Sequence, residues 1–173
     1  MTKRLFLLRH AKSSWANATL EDHDRPLQKK GLRRAAGLAR WLEERGLGCD
    51  LVLCSTALRA RETLEVVLPA LGKPELRYER AIYEAEPEDL IAMLRKLPEA
   101  TRSAMIVGHD PTLHMLAVGL SMTARGDALD RLKRKFPTAG LAIVSFGDAG
   151  WGSVGPRVGH LDCFFVAPDD NVA

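Results

Sequence analysis

Short apolar runs alternate with amphipathic segments along the chain, without an internal repeat, a low-complexity tract or a long Gly/Ser linker. Alternation of this kind predicts an α/β layer fold. Residues 5–8 (LFLL) form a run too short for a helix and suited to a strand buried on both faces, and the run stops at Arg9 and His10. A polar loop with Asp22, Asp24 and Pro26 follows. Leu32, Ala35, Ala36, Ala39 and Leu42 then fall on one helical face, with Gly46 and Gly48 as stop signals. Leu51, Val52, Leu53 and Cys54 make a second strand-like run. Ser55 and Thr56 offer a cap for a helix carrying Leu64, Val67, Leu68 and Leu71, closed by Gly72 and Pro74.

Pro87 opens a third helical pattern with Leu90, Ile91, Leu94 and Leu97 on one side. Residues 104–107 are the third candidate for a buried strand, and Gly108, His109, Asp110 and Pro111 come next. A helix is expected from Thr112 to Leu120. Leu129, Leu132 and Phe136 mark a further amphipathic helix, and strands are expected at 141–146 and 163–166, pairing as a hairpin.

Composition narrows the class. The chain has 173 residues, 46% of them hydrophobic and 27% charged, enough apolar material for one core and too little length for two comfortable domains, so 1–173 reads as a single domain. No apolar stretch approaches the roughly 20 residues of a membrane span, and no signal-peptide pattern follows Met1. The expected location is cytoplasmic. Cys49, Cys54 and Cys163 are odd in number and form no C-x-x-C pair, which argues against a disulfide framework. A net charge of +3 does not demand a nucleic-acid partner, but it favours an anionic substrate if the cations converge.

Convergence is what the strand ends predict. Arg9 and His10 follow the first strand, Ser55 and Arg59 the second, and His109 the third, while ligands of open α/β sheets lie outside the carboxyl ends of the strands. Two imidazoles and two guanidinium groups on one rim suit a phosphoryl group. Each of these residues taken alone reads more simply as a surface charge or a structural histidine. Because a regular strand splays neighbouring side chains to opposite faces, Arg9 and His10 reach one ligand only if the strand has ended.

Leu8-Arg9-His10-Ala11 resembles the R-H-G/A signature of the histidine phosphatase superfamily, the phosphoglycerate mutase-like fold. The segment 55–63 (STALRARET) resembles its S-x-x-x-R-A-x-x-T element, and Val107-Gly108-His109 its late G-H element, all three in family order. Together with Arg25-Pro26-Leu27, Gly31 and the short chain, these are most similar to the SixA-like branch of phosphohistidine phosphatases. The resemblance implies a three-layer α/β/α fold around a mostly parallel sheet. It also implies His10 as the nucleophile, phosphorylated during turnover, with Arg9, Arg59 and His109 gripping the phosphoryl oxygens and no cofactor. The implied substrate is a phosphohistidine in a partner protein, with a small phosphomonoester as the alternative. Departures from the pattern are Gln28, where relatives carry a capping Thr, Arg34 in place of a frequent Gln, and Ala16 at the position of a phosphate-proximal Asn. Asn17, one residue on, is given no phosphate contact.

Glu84 lies where larger relatives place a catalytic carboxylate and is the candidate general acid, with Asp24 and Asp110 as runners-up. Beside Glu86 and Glu88 it reads equally well as a surface charge. A leaving imidazole needs less help than an alkoxide, so a missing acid restricts the substrate more than it abolishes activity. Trp15 is a candidate wall of the substrate entrance, against ordinary aromatic packing.

Other chemistries fit less well. A cysteine phosphatase needs five residues between Cys and Arg, whereas four separate Cys54 from Arg59 and six separate it from Arg61. His23, Asp24, His109, Asp110, His114 and His160 show no metal-ligand spacing, so no metal is expected. Arg131, Lys133, Arg134 and Lys135 lack interleaved aromatics, so no nucleic-acid partner is expected. A non-catalytic phosphoprotein-binding module would use the same four charged residues and stays open. A monomer or weak dimer, without membrane contact, is the expected state.

Overall fold

The computed structural model describes residues 1–169. Seven strands among them form one sheet: β1 (Arg4–Arg9), β2 (Leu51–Ser55), β3 (Glu75–Glu79), β4 (Ser103–Gly108), β5 (Ser121–Ala124), β6 (Leu141–Ser145) and β7 (Gly159–Phe165), in the order β3-β2-β4-β1-β6-β7-β5. The block β3-β2-β4-β1 is parallel. β6 runs antiparallel to β1, β7 antiparallel to β6, and β5 parallel to β7. The expected α/β/α architecture and the hairpin of the last two long strands are therefore both present, in a sheet that is mixed.

Alternation along β1 divides the core in two. Phe6 and Leu8 face the layer of α1 (Lys29–Glu44) and α2 (Leu58–Val67), packing with Leu38, Leu42, Leu64 and Val67. Leu5 and Leu7 face the opposite layer, which includes α4 (Pro87–Arg95), α5 (Thr112–Leu120) and α6 (Ala128–Arg134), and pack with Leu90, Leu94, Leu113, Leu116 and Leu132. A short helix, α3 (Arg80–Tyr83), lies against β2. Burial on both faces explains the unbroken apolar runs of β1, β2 and β4.

Two expectations need correction, and two strands were not anticipated. The buried face of α1 is Gly31, Ala35, Leu38 and Leu42, while Leu32 and Ala36 are exposed; the helix is rotated so that Ala35 and Leu42 keep the expected side and Leu38 and Gly31 replace Leu32 and Ala36 on it. α2 is entered through Ala57, whose N–H donates to Ser55 Oγ (3.2 Å), so Ser55 ends the strand and supports the turn without being the cap itself. β3 and β5, with sequences ELRYE and SMTA, escape the periodicity reading because each sits at a sheet edge, where alternation loses its apolar partner face.

Register sets the rim of the site. Leu8 pairs with Val107 and Arg9 with Gly108, and Cys54 pairs with Val107 on the other side, so β1, β2 and β4 terminate level with one another. The loop after β1 then folds back on the start of α1, where Gln28 N–H donates to the Lys12 carbonyl (2.9 Å). A Cβ at Gly31 would stand 2.3 Å from that same carbonyl oxygen. Gly31→Ala is expected to lower stability by about 1–3 kcal/mol, because backbone must move and helix propensity returns less than this. Denaturant midpoints measure it, and an unchanged or raised midpoint would contradict the close approach.

Candidate active site

β1 ends at Arg9, so His10 is the first residue beyond the strand, as the adjacency of the two required. His10 N–H still pairs with the Gly108 carbonyl (3.0 Å), and the next amide, of Ala11, is taken by Thr63 Oγ1 of α2 (2.9 Å). These bonds turn the His10 ring toward Arg59. His10 is only 7% exposed and Arg59 6%.

The hydrogen bonds define the tautomer of His10. Nδ1 lies 2.7 Å from the Ala11 carbonyl oxygen, an acceptor, so Nδ1 carries the proton and Nε2 the lone pair. Arg59 Nε donates to that lone pair (3.3 Å). Burial, outweighing the Ala11 bond that favours the cation, holds the His10 pKa down at about 3, helped by the positive charge of His109, Arg59 and Arg9. The ring is thus neutral at physiological pH, with Nε2 unprotonated.

His109, the first residue after β4, lies with its ring centroid 5.3 Å from that of His10. Its Nε2 is 2.7 Å from Ser55 Oγ, which already accepts from Ala57 N–H. The arrangement that uses the hydroxyl proton has Ser55 donating to Nε2, which leaves the His109 proton on Nδ1. That Nδ1 is buried without a partner among the described residues, and so is Nε of Arg9. Burial first, then Arg59, lowers the His109 pKa to about 4, against an opposing pull from Asp22. Buried donors without partners normally signal a missing ligand or water. Both belong to residues close enough to His10 for their charge to lower its pKa.

Arg9 flanks this cluster. Its Nη1 donates to the Phe136 carbonyl (2.8 Å), while its charge helps to depress the pKa of both imidazoles. Burial lowers its own pKa, with Asp110 opposing. Three of the four expected groups, His10, Arg59 and His109, therefore meet directly, and Arg9 stands at their side.

Asp22 belongs to the cluster and was not singled out from the sequence. It sits in a 3-10 helical turn, Asp22–Asp24, and receives Arg59 twice, Nη1 on its carbonyl (2.7 Å) and Nη2 on Oδ2 (3.0 Å). Tyr83 Oη donates to the same Oδ2 (2.6 Å), and Arg25 Nε to Oδ1 (3.0 Å). The Tyr83 hydroxyl foremost, then Arg25 and Arg59, holds the Asp22 pKa at about 2. Tyr83 also packs edge-on against His109 (5.4 Å). The one available signal was the spacing Asp22-x-x-Arg25, which places a carboxylate beside the arginine of a tight turn.

The remaining candidates lie apart. Glu84 is exposed at the end of α3 and shares no hydrogen bond with the cluster among the described residues. Asp24 is exposed and faces its neighbour His23 (3.6 Å). Asp110 Oδ1 is buried without a partner. Asn17 accepts from the Thr19 amide (3.1 Å), a purely local bond. Trp15 is 74% exposed, with the Arg25 guanidinium 3.5 Å from its ring centroid, so it stands at the surface of the loop that carries Asp22 and is not packed in the core. Gln28 makes no capping bond, as its difference from Thr implied, and spends its amide on the Ser13 carbonyl (2.8 Å).

Cys54 is 1% exposed and burial pushes its thiol up to about 12, which leaves no thiolate for nucleophilic chemistry at neutral pH. Among the described residues, no three His, Cys, Asp or Glu side chains group as metal ligands, and no helix is long and apolar enough to cross a membrane.

A family model described as histidine phosphatase superfamily (branch 1) matches residues 5–94. An uncharacterized protein of Mycobacterium tuberculosis is 36% identical over 161 residues, covering 92% of this chain and 99% of its own length. Among solved structures, a proposed phosphohistidine phosphatase SixA from Nakamurella multipartitia superposes with a TM-score of 0.82 at 28% identity, covering 100% of this chain and 98% of its own. Another from Agrobacterium tumefaciens gives 0.77 at 29% identity, covering 95% and 97%.

Proposed function

The chain belongs to the histidine phosphatase superfamily, in its SixA-like branch, and on that premise we propose that it is a metal-independent phosphohydrolase working through a phosphohistidine on His10, with phosphohistidine in a partner protein as substrate. The observation that carries this reading is the unprotonated His10 Nε2, met by Arg59 Nε, in a cluster that leaves two buried donors, Arg9 Nε and His109 Nδ1, without partners among the described residues.

In the first transfer Nε2 attacks phosphorus, the N–P bond of a substrate ring protonated on its other nitrogen breaks, and that ring leaves as neutral imidazole with the electron pair. In the second, water attacks phosphorus, the N–P bond breaks, inorganic phosphate departs and Nε2 recovers its lone pair. Arg9, Arg59 and His109 stabilise charge on the equatorial oxygens throughout, preorganised by bonds they make before substrate arrives. The Ala11 carbonyl, hydrogen-bonded to Nδ1–H, stabilises the positive charge that His10 acquires when phosphorylated. Glu84, exposed and without a hydrogen bond to the cluster among the described residues, takes no part in this transfer, since a leaving imidazole needs less help than an alkoxide.

His109 is expected to change charge on binding. With a pKa of about 4 it is neutral in the free protein at pH 7, and a dianion against Nδ1 raises that pKa. Tungstate, which does not titrate near neutrality, should bind at pH 7 with net proton uptake, read by calorimetry in buffers of different ionisation enthalpy. The uptake should disappear in His109→Gln. Equal uptake in the variant would remove His109 from the site.

The reading is tested by comparing a phosphohistidine protein, p-nitrophenyl phosphate and phosphoglycerates in one assay, with and without EDTA. Phosphohistidine is expected to be the best substrate and EDTA to change nothing. Preference for a phosphoglycerate would overturn the substrate, inhibition by EDTA the metal independence, and binding without turnover would make the protein a phosphoprotein-binding module.

A further inference from the structure

Beside the catalytic cluster lies a separate cleft of about 250 Å³ lined by Arg9, Lys12, Lys30, Arg34 and Lys135, with Pro137 and Thr138 completing the wall. Five cations meet there from three stretches of chain. Lys12 is two residues past His10 and is pressed against α1 by the Gly31 contact; Lys30 and Arg34 stand one turn apart on α1. Lys135 follows α6, in the segment tied to Arg9 through the Phe136 carbonyl. Arg9 therefore belongs both to this cleft and to the surroundings of His10.

The molecule indicates what the cleft accepts. Asp169, in the segment after β7, places its carboxylate on Lys30 (3.2 Å) and Arg34. Lys12 and Lys135 have no acidic partner among the described residues, and Nε of Arg34 is buried with none. One carboxylate thus occupies one side of a site with cations to spare. Three of the five cations are lysines, point charges on flexible stems, spread over separate elements. That dispersion suits several carboxylates along a peptide better than one phosphate, which is usually gripped by convergent guanidinium forks or a nest of backbone amides.

We propose that this cleft binds acidic side chains flanking the phosphohistidine of a substrate protein, and that Asp169 occupies part of it until such a segment arrives. The proposal rests on the reading of the substrate as a phosphorylated protein and assigns a specificity element to it. Lys12 and Lys135 take the incoming carboxylates, and Arg9 links their position to the phosphoryl group.

Two measurements test it separately from that reading. Anisotropy of a fluorescein-labelled hexa-aspartate peptide reports binding without catalysis, with hexa-asparagine as control. The aspartate peptide should bind in a salt-dependent manner. Lys12→Gln/Lys135→Gln should weaken it roughly tenfold, as loss of two exposed ion pairs would, and Asp169→Asn should tighten it. Kinetics on two phosphohistidine peptides, one flanked by aspartates and one by asparagines, should show a kcat/KM ratio in favour of the acidic peptide that falls toward one in the double-lysine variant. Absence of binding, or binding indifferent to the lysines, would overturn the cleft assignment. Inorganic pyrophosphate displacing the peptide with a steeper dependence on the same lysines would overturn it in favour of a small bisphosphate. Peptide binding that follows the prediction while neither phosphohistidine peptide turns over would uphold the cleft and overturn the proposed substrate.

Discussion

His10→Asn is expected to reduce turnover of a phosphohistidine substrate by on the order of 10⁶-fold, the scale seen when a nucleophile is removed while the surrounding electrostatic site remains. The effect is large because nothing nearby replaces Nε2. Cys54 is held as a thiol near pKa 12, and the Ser55 hydroxyl is engaged by His109 and the Ala57 amide. Asparagine retains polarity in a position that is 7% exposed, so loss of activity with an unchanged thermal midpoint separates chemistry from unfolding. Activity within tenfold of the unsubstituted protein would remove His10 as the nucleophile. The depressed pKa adds a consequence for pH: protonation of His10 begins to limit the free enzyme only near pH 3, so a decline in kcat/KM setting in near pH 6 has another source.

Arg59→Ala is expected to lower kcat/KM by on the order of 10²- to 10³-fold, the usual loss when one preorganised donor at a developing oxyanion is deleted. This residue holds more than one element in place. Its Nε orients the His10 lone pair, and its two Nη groups hold Asp22. Without the guanidinium, an ionised Asp22, whose pKa is about 2, faces the incoming phosphoryl group with less compensation. The double variant Arg59→Ala/Asp22→Asn should therefore be more active than Arg59→Ala alone. Arg59→Lys should rescue poorly, since one ammonium cannot reproduce three bonds directed by a planar fork. A drop of less than threefold in Arg59→Ala would place Arg59 outside the reaction.

How far the sequence foretold this site depended on where each residue lies relative to the sheet. His10, Ser55 and His109 were legible because unbroken apolar runs announce strands buried on both faces, and parallel strands bring their carboxyl ends to one rim. Arg59 was legible through its place in the turn and helix after β2. Asp22 was not, because it acts from an irregular loop whose path has no periodicity; only the folded loop brings it to Arg59, 37 residues away. Tyr83 was hidden for a related reason, since β3 and α3, which deliver it, carry the mixed sequence of an edge strand and a one-turn helix. Glu84 illustrates the opposite case: adjacency to Tyr83 brings its backbone near the site while its side chain is exposed. The cationic cleft joins residues from before α1, within α1 and after α6, a grouping that exists only once the helices are placed.

The central claim is a covalent phosphoryl group on one nitrogen of one side chain, and rapid-quench labelling of the unsubstituted protein tests it most directly. With a ³²P-phosphohistidine substrate, quenched in alkali within the first turnover, the account predicts protein-bound phosphate that is stable to base, labile to acid, mapped to His10 at Nε2 and absent from His10→Asn. Full turnover without such a species, or label recovered on any other residue, would contradict it.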